Sequence, residues 1–389
     1  MRASFFTILS ATLASTASAL PAATAAAAEP GLIDLAPFKG TMGFPTRPVM
    51  SVEEALARTA KVKADAEAWE RSHKSQLAVR SASDNAREYA AGRARSTCKN
   101  PEVRIEWRNF PHEYRLLWVK AARCVYDLPP HPGYPAAAKS MAESMAYIHQ
   151  QLMENIHSVG HFNIWHRLFL WNYQEILRNQ CGYPRELPLP WWDETKDSGK
   201  FSQASIFGPD YYGEAPPVVV KGGKEYATCV RTGALANLTI SIGPVHNLTT
   251  PHCLSRAVNE TQTAQTAKAF VDLGNSYPSF WDMAVSQEEG PHAFGHTGVG
   301  SVMGDMWASP ADAIFYMHHT FTDRNYWAWQ QANPSNRTYQ IGGMNATVGP
   351  RTASTLDSPI RFMGLFNETT IRPLQDTQGG SPFCYVYDY

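Results

Sequence analysis

The sequence predicts a mainly α-helical protein, an antiparallel helix bundle with long loops and a few short strands. Apolar residues recur with helical spacing between residues 136 and 155 and again between 162 and 178. Residues 184–260 are rich in Pro, Gly, Thr and Tyr, so we predict loops there, with a small hairpin around Gly222 and Gly223. Helical patterns return later in the chain, at residues 261–273, 278–287 and 311–332.

The N-terminal part of the chain divides into three segments. Residues 1–19 combine one positive charge, a short apolar run and a small-residue site, which is typical of a secretory signal peptide. Residues 20–50 are interpreted as a linker, and residues 51–97, which are rich in helix formers, as a helical extension. We therefore expect the main domain to span residues 98–389 and the mature protein to be secreted and extracellular.

Composition narrows the class of partner. The 34 basic and 35 acidic residues nearly cancel, which argues against a nucleic acid or an anionic membrane as partner. Hydrophobic residues make up 44% of the chain and can build a large core, yet no later run of about 18 apolar residues predicts a membrane span. We expect a soluble monomer that acts on a small, weakly charged molecule.

Cysteines and glycosylation motifs agree with passage through an oxidising secretory pathway. The six cysteines are an even number without a C-x-x-C pair, which favours structural disulfides over a metal site. Six cysteines allow about 15 pairings, and the sequence does not choose among them. The N-x-[ST] motifs begin at Asn237, Asn247, Asn259, Asn336, Asn345 and Asn367.

Histidines are concentrated in two stretches that are otherwise apolar. A single histidine among aromatic residues is usually a hydrogen-bonded core residue, but eight of the 13 histidines fall into two groups. His292 and His296 are four residues apart, so on a helix they lie on one face and can bind one metal, which His319 could complete. His157 and His166 flank a short apolar stretch, with His149 one helix upstream. Two sites of three imidazoles each are predicted.

Zinc and copper are the two metals that we weigh for the predicted imidazole sites. Zinc hydrolases usually carry a glutamate among their ligands, whereas "PHAFGH" has alanine and phenylalanine in that place. Imidazole ligands without a thiolate, packed among aromatic residues, favour copper that cycles between two oxidation states, and two coppers can bind O2 between them. A zinc hydrolase remains the alternative.

Two motifs resemble the tyrosinase, catechol oxidase and hemocyanin superfamily of type-3 copper proteins. They are "HFNIWHRLFLW" with the preceding His157, and His292 to His296 followed by "SPADAIFYMHHTFTDRNYWAWQ". The resemblance covers roughly residues 100–387 and implies a tyrosinase-type catalytic domain like that of the short secreted fungal members. The ligands that it implies are His149, His157 and His166 for the first copper and His292, His296 and His319 for the second.

The resemblance also implies roles for neighbouring residues. Phe315 matches an aromatic that packs against the ligands, and Asp312 and Asp323 are expected to orient imidazoles. His161 and His318 match no ligand position. Asn155 stands where some members carry a cysteine joined to a ligand by a thioether, so that bond is excluded here.

The end of the chain resembles the end of the family's catalytic domain. "YVY", residues 385–387, is similar to the family's Y-x-Y sign, and the chain stops two residues later. A C-terminal shielding domain is therefore not encoded, and the resemblance implies an enzyme that needs no proteolytic unmasking.

The expected activity is oxidation of o-diphenols to o-quinones with O2. Members that hydroxylate monophenols often have asparagine after the first ligand of the second copper, where it helps a glutamate-held water to deprotonate the phenol. Here Ala293 stands at that position and cannot hydrogen-bond, although Glu288 or Glu289 could still hold the water. The alternatives are a tyrosinase that also hydroxylates monophenols and an oxygen carrier with the same six histidines.

Overall fold

The fold is mainly helical with few, short strands, which confirms the predicted fold class. The computed structural model describes residues 31–39, 43–73, 81–246 and 249–389. The predicted signal peptide, residues 1–19, lies outside the described residues. The helices are α1 (Ala36–Lys39), α2 (Val52–His73), α3 (Ser81–Arg95), α4 (His112–Cys124), α5 (Met141–Ile156), α6 (Phe162–Asn179), α7 (Glu260–Thr263), α8 (Lys268–Ser276), α9 (Phe280–Gln287), α10 (Ala293–Val299), α11 (Ile314–Gln331) and α12 (Pro334–Arg337).

Three of these helices form the centre of the protein. Helix α6 packs against both α5 and α11. All ten residues from Ile314 to Asp323 of α11 are buried, as are the first nine of α6 from Phe162 to Leu170, so both stretches lie inside the core. Ser140 begins α5 by accepting a hydrogen bond from the backbone N–H of Glu143.

Short strands tie loops to this helical body. They are β1 (Leu32–Asp34), β2 (Glu102–Glu106), β3 (Pro190–Trp191), β4 (Val219–Lys221), β5 (Lys224–Cys229), β6 (Thr239–Ile240), β7 (His252–Cys253), β8 (Ser255–Arg256), β9 (Pro359–Ile360), β10 (Thr369–Thr370) and β11 (Tyr385–Tyr387). β4 and β5 pair antiparallel, which confirms the predicted hairpin, and Gly222 and Gly223 adopt the positive φ that its turn requires. β2 lies between β3 and the C-terminal β11, parallel to both.

Residues 31–39 and 43–50, part of the predicted linker, pack on the body of the protein. β1 pairs antiparallel with β5, and helix α2 follows and packs against α8. Ala55 of α2 is buried together with Ala269 and Phe270 of α8. Residues 31–39 and the start of α2 are thus each held on the body of the protein.

The structure contains one of the disulfide pairings that the sequence left open. The bonds are Cys98–Cys384, Cys124–Cys181 and Cys229–Cys253, and all six cysteines of the described residues are used. Cys98–Cys384 joins the start of the predicted main domain to its end. Across the described ranges, every helix is too short or too polar to cross a membrane.

Asp323 of α11 is the centre of a buried polar network. It accepts hydrogen bonds from Arg167 at 2.6 Å, from Arg104 at 3.2 Å, and from the hydroxyls of Tyr385 and Tyr387 at 2.6 Å each. The network fastens the C-terminal strand to the central helices.

The expectation that Asp312 and Asp323 orient imidazoles is therefore wrong. Asp312 instead pairs with the buried Arg256 at 2.8 and 3.0 Å, and it accepts the backbone N–H of Ile314 at the start of α11. Both carboxylates neutralise buried arginines, because an unpaired buried guanidinium would be costly.

Candidate metal centre

The first group of histidines is formed by α5, α6 and the turn between them. His149 lies in the third turn of α5, and His166 in the second turn of α6. His157 follows the last residue of α5 with an extended backbone, φ −122° and ψ 145°, which ends the helix there. One ring nitrogen from each of the three imidazoles lies within 4.8 Å of the other two, and all three side chains are buried.

The second group is built where α9 and α10 meet and on α11. A wide turn, Glu288–His292, joins the two helices, and Gly290 leaves helical conformation within it. His292 and His296 are then one helical turn apart, as predicted. Together with His318 and His319 of α11 they form a second buried group whose ligand atoms also lie within 4.8 Å of one another.

Hydrogen bonds fix which nitrogen is free in four of these rings. A backbone carbonyl can only accept, so an Nδ1 atom bonded to one carries the proton, and Nε2 of the neutral ring is then left with a lone pair. Four rings are held in this way. They are His149 on Trp307 O at 2.8 Å, His166 on Phe162 O at 2.8 Å, His292 on Glu288 O at 3.1 Å and His296 on Met303 O at 2.9 Å.

In each group the Nε2 atoms of two imidazoles lie close together. Nε2 of His149 lies 3.4 Å from Nε2 of His166, and neither atom carries a proton to share. Nε2 of His296 lies 3.3 Å from Nε2 of His319, and the lone pair on Nε2 of His292 has no hydrogen-bond partner among the described residues. His157 has no hydrogen-bond partner for either nitrogen among the described residues. A buried acceptor without a partner costs free energy, so a bound cation would stabilise each group.

Burial keeps these imidazoles neutral and able to bind a metal. It lowers the pKa of His149 to about 4, and burial and the neighbouring imidazoles hold the pKa of His157 and His166 well below the usual range. The same causes lower the pKa of His292 and His319. At neutral pH no proton competes with the metal for the free nitrogens.

The two groups form one centre. The rings of His166 and His319, one from each group, stack with centroids 4.5 Å apart and planes 10° apart. Phe315 packs on both groups, 4.0 Å from the His319 ring and 5.4 Å from the His149 ring. The arrangement can hold two metal ions close together.

His161 and His318, which the sequence motifs left out, occupy different places. His161 belongs to neither group, although burial lowers its pKa to about 4. His318 lies in the second group, but its Nδ1 is 2.6 Å from Oε1 of the buried Glu194. Burial raises the pKa of Glu194 and lowers that of His318 to about 3, so burial favours the uncharged form of each group. Sequence reasoning missed Glu194, since nothing in its local pattern points to the centre.

The two candidate glutamates differ in burial. Glu288 is buried and accepts the backbone N–H of Ser158 at 2.7 Å, and burial raises its pKa to about 8. Glu289 is partly exposed, and its side chain lies 3.8 Å from Arg47. Ala293 is fully buried in an apolar cluster beside the imidazoles.

Residues 303–307, for which the sequence predicted no supporting role, hold one imidazole of each group in place. The carbonyls of Met303 and Trp307 orient His296 and His149 respectively. The buried Asp305 between them accepts the backbone N–H of Trp307 at 3.0 Å and that of Val245 at 2.9 Å. Asp305 therefore holds the segment in the shape that aims both carbonyls.

Phe44, in the predicted linker, also reaches the centre. Its ring stacks on the ring of His296 with centroids 4.2 Å apart and planes 17° apart. Only the fold brings it there, because residue 44 is far from both motifs in sequence.

Comparisons with known proteins agree with this geometry. A family model described as the common central domain of tyrosinase matches residues 139–332, which include every histidine of both groups. Tyrosinase P of Aspergillus terreus is 28% identical over 341 residues, covering 75% of this chain and 93% of that protein. The N-acetyl-6-hydroxytryptophan oxidase of Emericella nidulans is 26% identical over 352 residues, covering 75% and 93%. A structure of a polyphenol oxidase variant from Thermothelomyces thermophila aligns with a TM-score of 0.67 and 25% identity, covering 87% of this chain and 98% of that one.

Proposed function

Because this chain belongs to the tyrosinase family and is an oxidoreductase, we propose that it oxidises o-diphenols to o-quinones with O2 at a pair of copper ions. The observation that carries the proposal is the pair of adjacent, buried imidazole groups, in each of which the ring nitrogens lie within 4.8 Å of one another. The proposed ligands are His149, His157 and His166 for one copper and His292, His296 and His319 for the other.

The donor set fits copper. Neutral imidazoles without a thiolate suit a metal that changes oxidation state, and an aromatic, buried surrounding keeps water away. Bound copper supplies the binding of O2 and the transfer of electrons to it. Each diphenol gives up two electrons and two protons, and each O2 takes up four of both to form two waters, so two diphenols are oxidised per O2. The protein orients the imidazole ligands and keeps water away from the site, and Phe315 packs across both imidazole groups.

The residues around the second group favour diphenols over monophenols. Hydroxylation of a monophenol needs its proton removed, and a positioned base contributes about 10²–10⁴-fold to such a step. Ala293 offers only a methyl group beside His292. Glu288 is the better candidate than Glu289 to hold a water there, because it is the buried one of the two. Its presence supports a second candidate function, a tyrosinase with weak monophenol hydroxylation.

We predict that the copper-loaded protein oxidises 4-methylcatechol at least about 100 times faster than it hydroxylates p-cresol, since Ala293 provides no partner for a base. Oxygen consumption with both substrates on one sample measures the ratio. The variant Ala293→Asn is expected to shift the ratio toward the monophenol. Rapid, lag-free hydroxylation of tyramine by the unaltered chain would refute the prediction.

Asp305 is proposed as a positioning residue for both coppers. We expect Asp305→Ala to weaken copper binding by about 10-fold, the lower end of the loss that follows removal of a direct partner of a ligand, because Asp305 acts through the carbonyls of Met303 and Trp307. Competition with a copper chelator measures the affinity. Asp357→Ala, which removes an exposed carboxylate paired with Arg372, is the control and is expected to leave copper binding unchanged. Equal affinity of the Asp305 variant and the original chain would contradict the role.

We also propose that the protein is secreted. Its disulfides support an oxidising compartment, where such bonds persist. Cell fractionation of a producing strain tests the proposal, and retention of the chain inside the cell would contradict it.

A further inference from the structure

The ring of Phe44 packs against imidazoles of both groups. It stacks on His296 and presents its edge to His292, with centroids 5.6 Å apart, and to His157, with centroids 6.1 Å apart. Phe44 is buried in one apolar cluster with Met153, Ala293, Met306 and Trp307. A single benzene ring therefore contacts imidazoles of both groups at once.

The chain that carries this ring is fastened on its C-terminal side. The backbone N–H of Arg47 donates to Glu289 O at 2.9 Å, and its guanidinium donates to Ser286 Oγ at 2.8 Å. Met50 exchanges two hydrogen bonds with the side chain of Gln265, at 3.1 and 3.0 Å. Helix α2 then begins and packs on α8.

The N-terminal side is fastened as well. β1 pairs with β5, the backbone N–H of Leu35 donates to Glu225 O at 3.0 Å, and Lys39 forms an ion pair with Glu225. Pro45 restricts Phe44 to an extended backbone, because a residue before proline is disfavoured in helical conformation. We call residues 43–50 the strap.

We propose that the strap is an internal competitor of the substrate, with Phe44 in the position that the ring of a phenol must take. The proposal rests on the proposed function. A phenol must bring its oxygen to the metal that these imidazoles would bind, and two rings cannot stack on His296 from the same side. Phe44 has the size and the apolar faces of a phenol but no hydroxyl, so it can fill the position without reacting.

The strap thereby governs which substrates reach the centre and how readily. A substrate binds only the fraction of molecules in which the ring has moved away, and its apparent Kd rises in inverse proportion to that fraction. If the open fraction is about 10% or less, removing the ring tightens substrate binding about ten-fold or more. The expectation of an enzyme that needs no proteolytic unmasking concerned a C-terminal shielding domain. The strap is instead a cover formed by the N-terminal part of the chain.

The test compares two variants that each remove a phenyl ring from the N-terminal region. Phe44→Ala removes the ring on His296, and Phe38→Ala removes an equally buried ring that packs on His252, outside both imidazole groups. Binding of benzoate, a ring that cannot be oxidised at this site, is measured calorimetrically on the copper-loaded proteins. Kinetics with 4-methylcatechol give KM and kcat separately.

We expect Phe44→Ala to bind benzoate about ten-fold more tightly and to lower KM by a similar factor, while Phe38→Ala behaves as the original chain. Unchanged benzoate affinity in the Phe44 variant, or an equal gain in both variants, overturns the inference. Failure of the proposed function looks different, because every variant would then lack copper or leave catechol unoxidised.

Discussion

Replacing His296 by alanine is expected to remove one copper ion and to lower catechol oxidation by more than about 100-fold. Losing an outer partner of a ligand already costs about 10–100-fold, and His296 offers a lone pair directly. The substitution also leaves Nε2 of His319 without the neighbour that lies 3.3 Å away. Metal analysis and oxygen consumption on the same purified sample measure both effects.

The matched control is His161→Ala. His161 is also a buried histidine, but it belongs to neither imidazole group. We expect this variant to keep its full copper content and its activity. If both variants lost copper to the same degree, metal loss would reflect general damage to the fold, and the assignment of His296 as a ligand would fail.

Replacing Asp323 by asparagine is expected to destabilise the fold by about 3–5 kcal/mol, the usual cost of breaking a buried ion pair by removing one partner. The change keeps the shape of the side chain but leaves Arg104 and Arg167 without the carboxylate that neutralises them. Urea unfolding with intact disulfides, followed by circular dichroism, measures the loss. Asp272→Asn, in a surface pair with Lys268, is the control and is expected to cost within about 1 kcal/mol.

The pH dependence of stability gives a second check on Asp323. Burial alone would raise the pKa of Asp323, but Arg167, Arg104 and two tyrosine hydroxyls lower it below its usual value. A carboxylate with a lowered folded pKa stabilises the protein fully above the unfolded value of about 3.9, and this stabilisation is lost as pH falls through the folded pKa. The asparagine variant should lose less stability between pH 4 and pH 2 than the original chain. An identical acid response of both proteins would contradict the network.

The sequence was most informative where structure is local. The spacing of His292 and His296 predicted one helical face because the helix repeats every 3.6 residues. The boundaries of α6 and α11 followed from apolar periodicity, and the hairpin at Gly222 followed from turn chemistry.

The residues that the sequence did not predict reach the centre through contacts between distant parts of the chain. Phe44, Glu194 and Asp305 reach the centre from three separate segments, and no spacing within any of them indicates a metal. Asp312 and Asp323 stand beside the motif histidines in sequence, yet in the fold they neutralise arginines on other segments. Spacing along the helices therefore predicted which histidines come together, but it did not predict the residues that support them.

The central claim is a pair of coppers at six imidazoles that oxidises diphenols. Its most direct test is copper content per chain, measured on the same sample as the ratio of O2 consumed to 4-methylcatechol oxidised, in the original chain and in Phe44→Ala. We predict about two copper ions per chain, one for each imidazole group, and one O2 for every two catechols. One metal per chain, a preference for zinc, or full copper loading without oxidation in both proteins would contradict the claim.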